Sequence, residues 1–402
     1  MSVQTPQFLD LPVMSQSELD DICRKNARFN SGRTGGLRAN LSWRNLAGLR
    51  LSLHDLSGAD LTGANLRGAT LLGARLDNAS LFGADLENAD LRKASLRRAN
   101  LKGVCLRNAD LSEADLFEAD LCEGSIAVGD RKLGYRLIGK AGGAGEAPAG
   151  QRTVKADLTG AVLRKTRLTR ANMKLCVLAF ADLTGADLTQ AKMRGADLRK
   201  AVLLDARTQY ADTVDADLEG ALVKPPADPD AGEPSVADQI RDHVLWSETN
   251  GRSGKAGVFD AADLRGLKNL NNKVLTALSA RGAVLHGLDL AGAQLQGARL
   301  EGADLRSCDL RGADLRGARL TSALLAGADL QGANLGLLKL SGGHRLPADL
   351  TSADLRRAIL AGACLKGAIL DGADVRLADF TGAELGGASL AFGETFGLKG
   401  IA

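Results

Sequence analysis

Apolar and polar residues recur along this chain with a period of five. In the stretch LSGADLTGANLRGATLLGARL, residues 56–76, a leucine stands at every fifth position, and an alanine stands two residues before nearly every leucine. From Leu41 the large aliphatic residue recurs through Leu121 and then Ile126, which gives eighteen units in one phase. Neither the 3.6-residue period of a helix nor the two-residue period of a strand produces this pattern.

The same pattern returns twice, each time in a new phase. The second run covers 158–223, where Thr208 and Thr213 are the polar residues at the large position. The third covers 285–390, with one lapse at SGGHRLP, where Arg345 takes the large position. All eight prolines lie outside the regular units. Because proline has no backbone N–H to donate, its exclusion indicates that the backbone of the units is paired in a ladder.

The odd period dictates a bend in every unit. We number the positions of a unit such as Ala59-Asp60-Leu61-Thr62-Gly63 from 1 to 5. Along a strand, positions 1 and 3 point to one side and position 2 points to the other. Since five is odd, a straight strand would turn the next leucine outward, so the chain must bend within each unit. Such a chain closes on itself, and its coils can stack at roughly 4.8 Å as a β-solenoid.

The units ADLTG, ANLRG, ADLEN and ADLRG share the pattern A-[DN]-L-x-x, which resembles the unit of the pentapeptide repeat family. The resemblance implies an all-β solenoid, a right-handed quadrilateral β-helix with four units per coil, in two or three blocks. It also implies that the leucine and the alanine face the interior. The family includes DNA mimics that bind topoisomerases, secreted effectors and many proteins of unknown role.

Two segments outside the units predict short capping helices. SELDDICRKNARFNSGRTGG and VADQIRDHVLWSETNGRSGK each precede a run of units, and Ser15 with Glu18 and Ser235 with Asp238 have the spacing of a capping box. The predicted organisation is an N-terminal helix and cap (1–36), a repeat block (37–126), a loop insertion (127–155), a second block (156–223), a proline-rich linker with the second cap helix (224–258), a third block (259–390) and a C-terminal cover (391–402).

Composition excludes several classes of function. The 51 basic and 48 acidic side chains nearly balance, so the chain has no bulk attraction to nucleic acid or to a membrane. The four histidines lie far apart, and no catalytic, metal or cofactor constellation is present, so we expect no enzyme.

The scattered cysteines predict reduced thiols. The absence of a signal sequence and of a long apolar run predicts a cytoplasmic protein with no membrane span.

A twenty-residue coil predicts which outward side chains stack. One row at position 2 contains Asp289, Asp309, Asp329 and Asp349, and the opposite row contains Arg299, Arg319 and Lys339. Aspartate is the usual residue at this position and the cations are not. We therefore predict that Arg299, Arg319 and Lys339 bind a partner protein.

Two further predictions concern partners. A DNA mimic acting on a topoisomerase is the alternative function, but it calls for an acidic excess, whereas residues 283–390 hold 12 acidic and 11 basic side chains. Direct binding to nucleic acid is not expected either.

The C-terminal tail, FGETFGLKGIA, carries Phe392, Phe396, Leu398 and Ile401, which could cover the end of the solenoid or form a homodimer through it.

Overall fold

The computed structural model describes residues 11–127, 151–223, 235–267, 269–393 and 395–401. The chain divides into two compact units, unit 1 (residues 1–224) and unit 2 (residues 225–402), and each is described by itself. Neither of the helices in the described ranges has the length and apolar character needed to cross a membrane.

The backbone of both units winds in coils of twenty residues. Position 2 of each five-residue unit forms a parallel bridge with position 2 one coil later, as in Asp60 with Ser80 and Ser80 with Asn100. Leu61 N donates to Ser80 O at 2.7 Å, Ser80 N to Ala59 O at 2.9 Å, and Gly63 N to Phe82 O at 2.9 Å. The predicted coil of four units is confirmed, and its ladder explains why proline is excluded. The right-handedness that the family resemblance implies stays a prediction.

Each unit bends through a hydrogen-bonded turn. Ala64 N donates to Leu61 O at 3.0 Å, and Gly63 at position 5 has a φ of 63°. A positive φ at the third residue is the requirement of a type II turn. Gly63 has a second reason to lack a side chain, because a Cβ there would clash with the ring of Trp43 on the preceding coil.

Leucine at position 3 and alanine at position 1 fill the interior. Leu61, Leu81 and Leu101 are fully buried, with Ala59 and Ala79 beside them. Each buried leucine contributes roughly 1.5–3 kcal/mol, and the contribution repeats along a column in which a coil contacts only its neighbours. One fully buried column of this kind runs through each unit.

A hairpin interrupts unit 1. Strand β1 (Gly124–Ala127) pairs antiparallel with strand β2 (Gln151–Val154). The ladder then resumes in register. Cys105 forms its parallel backbone bridge with Asp157, which lies beyond the hairpin, instead of with the residue twenty positions later. The loop predicted for 127–155 is therefore wrong at residues 127 and 151–154, and the repeat block predicted for 37–126 is wrong at residues 124–126, because these residues form the two strands. Residues 128–150 lie outside the described ranges. The 37–126 and 156–223 blocks form one column.

Unit 2 has a smaller hairpin at the lapse in its repeats. Strand β3 (Leu338–Lys339) pairs antiparallel with strand β4 (Arg345–Leu346), and a 3-10 turn at Ser341–Gly343 lies between them. The coil regains its register beyond the hairpin, where Arg319 bridges Asp349. A second 3-10 turn, Arg265–Leu267, lies in the first coil of unit 2.

Helices cap the first coil of each unit, as predicted. Helix α1 (Gln16–Asn30) begins with a capping box between Ser15 and Glu18, and helix α2 (Val236–Glu248) begins with one between Ser235 and Asp238. Buried Asn26 of α1 accepts a hydrogen bond from Ala39 N at 2.8 Å and donates to Asp55 O at 2.9 Å. Side-chain amides of the helix thus take the place of a preceding coil.

The C-terminal tail continues the ladder of unit 2. Gly393 N donates to Ala373 O and Lys399 N donates to Ala378 O, each at 3.0 Å. Phe392 packs on Phe380, the last large residue of the core, with the ring centres 6.1 Å apart. The tail therefore occupies part of a further coil, and its predicted role as a cover is consistent with these contacts.

Candidate functional site

The predicted rows of opposite charge form in unit 2, but only over their first members. On one side, the backbone of Arg299 forms a parallel β-bridge with that of Arg319. On the opposite side, Asp289, Asp309 and Asp329 form such backbone bridges in turn. The β3–β4 hairpin then shifts the register by ten residues. The placement of Lys339 and Asp349 in these rows is wrong, because Asp349 stacks on Arg319 and Ile359 stacks on Asp329.

The hairpin nevertheless brings Lys339 back to the same corner of the coil. Leu338 Cβ lies 2.8 Å, and Leu346 Cβ 3.3 Å, from the point that a Cβ on Gly317 would occupy. Gly317 is two residues before Arg319, and Lys339 pairs with Arg345 across the hairpin. Arg299, Arg319, Lys339 and Arg345, all exposed, are called the basic corner below.

Few acidic groups balance the basic corner. Arg299 makes no ion pair with any described residue. Arg319 is 62% exposed, and its Nη1 atom lies 4.0 Å from Glu301 Oε1. Burial acts to raise the pKa of Asp349, but hydrogen bonds from Thr351 and Thr321 and the charge of Arg319 lower it overall. Four cations therefore face two carboxylates, so the corner has a net positive potential toward solvent.

Many of the position 2 aspartates are neutralised within their own unit. In the sequence Asp-Leu-Arg, the arginine at position 4 points to the same side as the aspartate at position 2. Arg311 Nε donates to Asp309 Oδ1 at 2.9 Å and Nη2 donates to Asp309 Oδ2 at 2.5 Å, a bidentate pair. The same fork recurs in Asp90–Arg92, Asp197–Arg199, Asp263–Arg265, Asp304–Arg306, Asp314–Arg316, Asp354–Arg356 and Asp374–Arg376.

These forks weaken the predicted aspartate row. The charge of Asp309 is compensated by Arg311, whose Nε atom also lies 3.8 Å from Asp329 Oδ2. The two-residue spacing on one face of a strand gives the sequence signal for the fork. The basic corner carries no such internal compensation at Arg299, so it is the more distinctive of the two charged surfaces.

A buried polar cluster on unit 1 was not predicted. Asp85, Glu87 and Cys105 place one ligand atom each within 4.8 Å of one another, and Asp85 is 1% exposed. Arg67 pairs with both carboxylates, with Nε 3.3 Å from Asp85 Oδ2, and Arg107 Nη2 lies 3.3 Å from Glu87 Oε2. Burial raises the pKa of Asp85 and raises that of Cys105 to about 12. Two guanidinium groups already balance the carboxylates, so the cluster is explained as a charge-paired network.

The described cysteines have the chemistry of packing residues. All six are free thiols, and Cys23, Cys176 and Cys308 are buried. Burial raises the pKa of Cys308 to about 12 and holds that of Cys176 well above its ordinary value. A thiol must lose its proton to act as a nucleophile or a metal ligand, so these buried side chains are poorly suited to either role.

The repeats match a known family model. The model described as "Pentapeptide repeats (8 copies)" matches in overlapping segments that cover 38–122, 156–222, 269–342 and 348–391. The chain belongs to the pentapeptide repeat family. The matched residues of this pentapeptide repeat protein leave out both cap helices and the β1–β2 hairpin.

Several solved structures are similar to this pentapeptide repeat protein in sequence. HetL, involved in heterocyst differentiation regulation in the cyanobacterium Nostoc, is 24% identical over 96% of this chain and 94% of its own, with a TM-score of 0.16. Rfr23 from the cyanobacterium Cyanothece is 30% identical over 28% of this chain and 65% of its own, with a TM-score of 0.13. QnrB1, a plasmid-mediated fluoroquinolone resistance protein, is 15% identical over 71% of this chain and 90% of its own, with a TM-score of 0.15. A search of curated proteins found no match.

Proposed function

We propose that this pentapeptide repeat protein is a non-catalytic binding or scaffold protein of the cytoplasm, and that its basic corner holds an acidic segment of a partner protein. The observation that carries the proposal is the pairing of the stacked, exposed Arg299 and Arg319 with a hairpin that presents Lys339 and Arg345 at the same corner. Proteins of this family are generally non-catalytic, which agrees with a binding role.

The chemistry of the corner favours carboxylates as its ligand. Arginine forms two parallel hydrogen bonds with a carboxylate, as the Asp-Leu-Arg forks of this chain do repeatedly. Arg299 has no such partner among the described residues, so its five donors are available to one. The flat ladder around it suits an extended segment. The balanced charge of the chain supports a protein partner over nucleic acid, and it also disfavours a DNA mimic.

The test replaces Arg299, Arg319 and Lys339 together by glutamine. All three side chains are exposed, so the fold should be retained while capture of a partner from the protein's own cells falls by about tenfold or more at low salt. The control replaces Lys165, Lys174 and Lys192 of unit 1, three exposed lysines, by glutamine.

Mass spectrometry of proteins that co-elute with the tagged chain measures the outcome. The control variant should retain the dominant co-eluting protein and the corner variant should lose it. Equal capture by both variants would remove the basic corner from the proposal. A dominant topoisomerase subunit would support the DNA-mimic alternative instead.

We also propose that a second copy of the chain binds at the C-terminal end of unit 2. Phe396 is 46% exposed there, and Leu390, Phe392, Leu398 and Ile401 are only partly buried against the end of the core. An apolar end of this kind is stabilised when another apolar surface covers it.

A further inference from the structure

The last coil of unit 1 leaves a row of backbone donors without acceptors. In the coil before it, Leu188 N donates to Arg207 O and Gln190 N donates to Gln209 O, and the same two bonds recur on the following sides. The corresponding N–H groups of the last coil make no hydrogen bond with any described residue; they belong to Thr208, Tyr210, Thr213, Asp215, Leu218 and Gly220.

This end differs from the first coil of the same unit. There, Asn26 of α1 bonds to Ala39 N and Asp55 O, and Val13 forms an isolated parallel bridge with Asn45. The last coil has no such cover among the described residues, and its large positions Thr208 and Thr213 are exposed. An uncovered β edge is a template for strand addition.

The observed ladder specifies how a strand would pair with this edge. On the side that holds Thr208, Arg207 donates to Ala186 O and accepts from Leu188 N, and Gln209 accepts from Gln190 N. Repeating this pattern one layer further needs one extended residue that donates to Ala206 O and accepts from Thr208 N. A second residue, two positions later, accepts from Tyr210 N. Three residues of an extended, parallel segment therefore satisfy one side of the edge.

Two of the core positions at this edge are adapted to contact with water. Threonine stands at 208 and 213, so the uncovered end exposes hydroxyl groups where the preceding coil holds buried Leu188 and Met193. The next core position of the edge, Leu218, keeps an apolar side chain that is 41% exposed. Apolar side chains also stand on the outside of the same coil, where Tyr210 is 86% exposed and Val214 is exposed as well. These provide contact area for the side chains of an added strand.

The charge of the last coil selects the partner. Residues 203–223 contain five carboxylates and one arginine. Asp212 and Asp217 pair with arginines of the preceding coil, at 3.5 and 3.6 Å. The other three, Asp205, Asp215 and Glu219, form no ion pair with any described residue. A second copy is disfavoured, because two such ends repel each other and the first coil that would complement this edge is covered by α1. A basic segment is attracted to the three carboxylates that no ion pair compensates.

We propose that the open edge of unit 1 binds an extended, basic segment of a partner protein by strand addition. This surface lies on unit 1 and is separate from the basic corner of unit 2, so the proposal goes beyond the function proposed above and does not depend on it.

Amide hydrogen exchange of the full chain tests the backbone bonds directly. The probe is a synthetic peptide of alternating lysine and valine, and the control peptide has glutamate in place of lysine. The basic peptide should slow exchange at Thr208, Tyr210, Thr213 or Asp215 by about tenfold or more, since these amides gain acceptors. Exchange at Leu188 and Met193, which already donate in the ladder, should change little.

Charge reversal tests the choice of partner. Asp215→Lys with Glu219→Lys should weaken binding of the basic peptide by about tenfold or more at low salt. Glu113→Lys with Glu123→Lys makes the same change in net charge at exposed positions elsewhere on unit 1 and should leave the affinity within about twofold.

Three results would overturn the proposal. One is binding of the basic peptide with unchanged exchange at the six edge amides. Another is equal binding of the acidic peptide. The third is slower exchange at these amides as the concentration of the protein rises in the absence of peptide, which would identify a second copy as the occupant.

Discussion

At the scale of the residue, the interior of the solenoid is specified by position 3 of each unit. Leu168 and Leu188 are fully buried in one column of unit 1, and Thr208 stands above them in the last coil, where it is exposed. In this column the covered coils hold leucine and the last coil holds threonine, whereas the last coil keeps exposed Leu218 and Val223 at its other large positions.

This column gives a matched pair of substitutions. Leu188→Ala should lower the free energy of unfolding of unit 1 by about 2–5 kcal/mol, because it leaves a cavity between two coils. Thr208→Ala should change it by no more than about 0.5 kcal/mol, because that side chain is exposed. Urea denaturation followed by circular dichroism measures both, and similar losses from the two variants would show that a coil covers Thr208.

At the scale of the element, helix α2 is joined to its coil through a buried histidine. Gly257 N donates to His243 Nδ1 at 2.9 Å, and the imidazole ring stacks on Trp246 with the centroids 5.6 Å apart. Burial lowers the pKa of His243 below the ordinary value of 6.5 despite nearby backbone carbonyls of residues 275 and 276 that act to raise it. The accepting Nδ1 requires the neutral ring.

The lowered pKa predicts a pH-dependent cap. Below pH 6.5 an unfolded chain binds a proton at this histidine that the folded chain resists, so stability is full above pH 6.5 and falls as pH falls toward the folded pKa. Unit 2 should lose stability between pH 7.5 and pH 5.5, and His243→Asn should reduce that loss. Urea denaturation at about these two pH values is the measurement; an equal loss in the variant would assign the effect to other groups.

Hairpins are the elements that the periodicity could not locate. The composition of 127–155 predicts a loop because glycine and alanine dominate it, yet residues 151–154 pair with 124–127. The lapse at SGGHRLP is visible in the sequence, but not its pairing as β3 and β4. A pattern that repeats every five residues reports on positions in the coil, whereas pairing across a hairpin depends on residues that have left it.

At the scale of the whole molecule, the sequence predicts the solenoid and its caps almost completely, and the candidate site only in part. The regular period specifies the twenty-residue coil, and the Ser15 and Ser235 capping boxes form as expected. The predicted stacking of Arg299 on Arg319 is confirmed. The predicted place of Lys339 in the same row is wrong, because residues stack every twenty positions only where no segment is inserted between the coils.

The apolar end of unit 2 predicts self-association of the whole chain. Phe396→Asp places a charge in the surface that a second copy would cover, so it should convert a dimer to a monomer at micromolar concentration. Analytical ultracentrifugation measures the change. Tyr210→Asp, at an exposed aromatic residue of unit 1, is the control and should leave the dimer intact. A monomeric parent chain would contradict the proposed dimer.

Both hairpins that interrupt the ladder lie at bends, and the register survives each of them. Cys105 bridges Asp157 and Arg319 bridges Asp349, so inserted segments of very different length return the chain to the same lattice of hydrogen bonds. The bends therefore act as splice points. A new loop can be inserted there without repacking the core, either in evolution or by grafting a binding sequence between Lys339 and Arg345. In such a protein the solenoid is the stable scaffold, and a new binding specificity can arise by insertion of a segment at one of its bends.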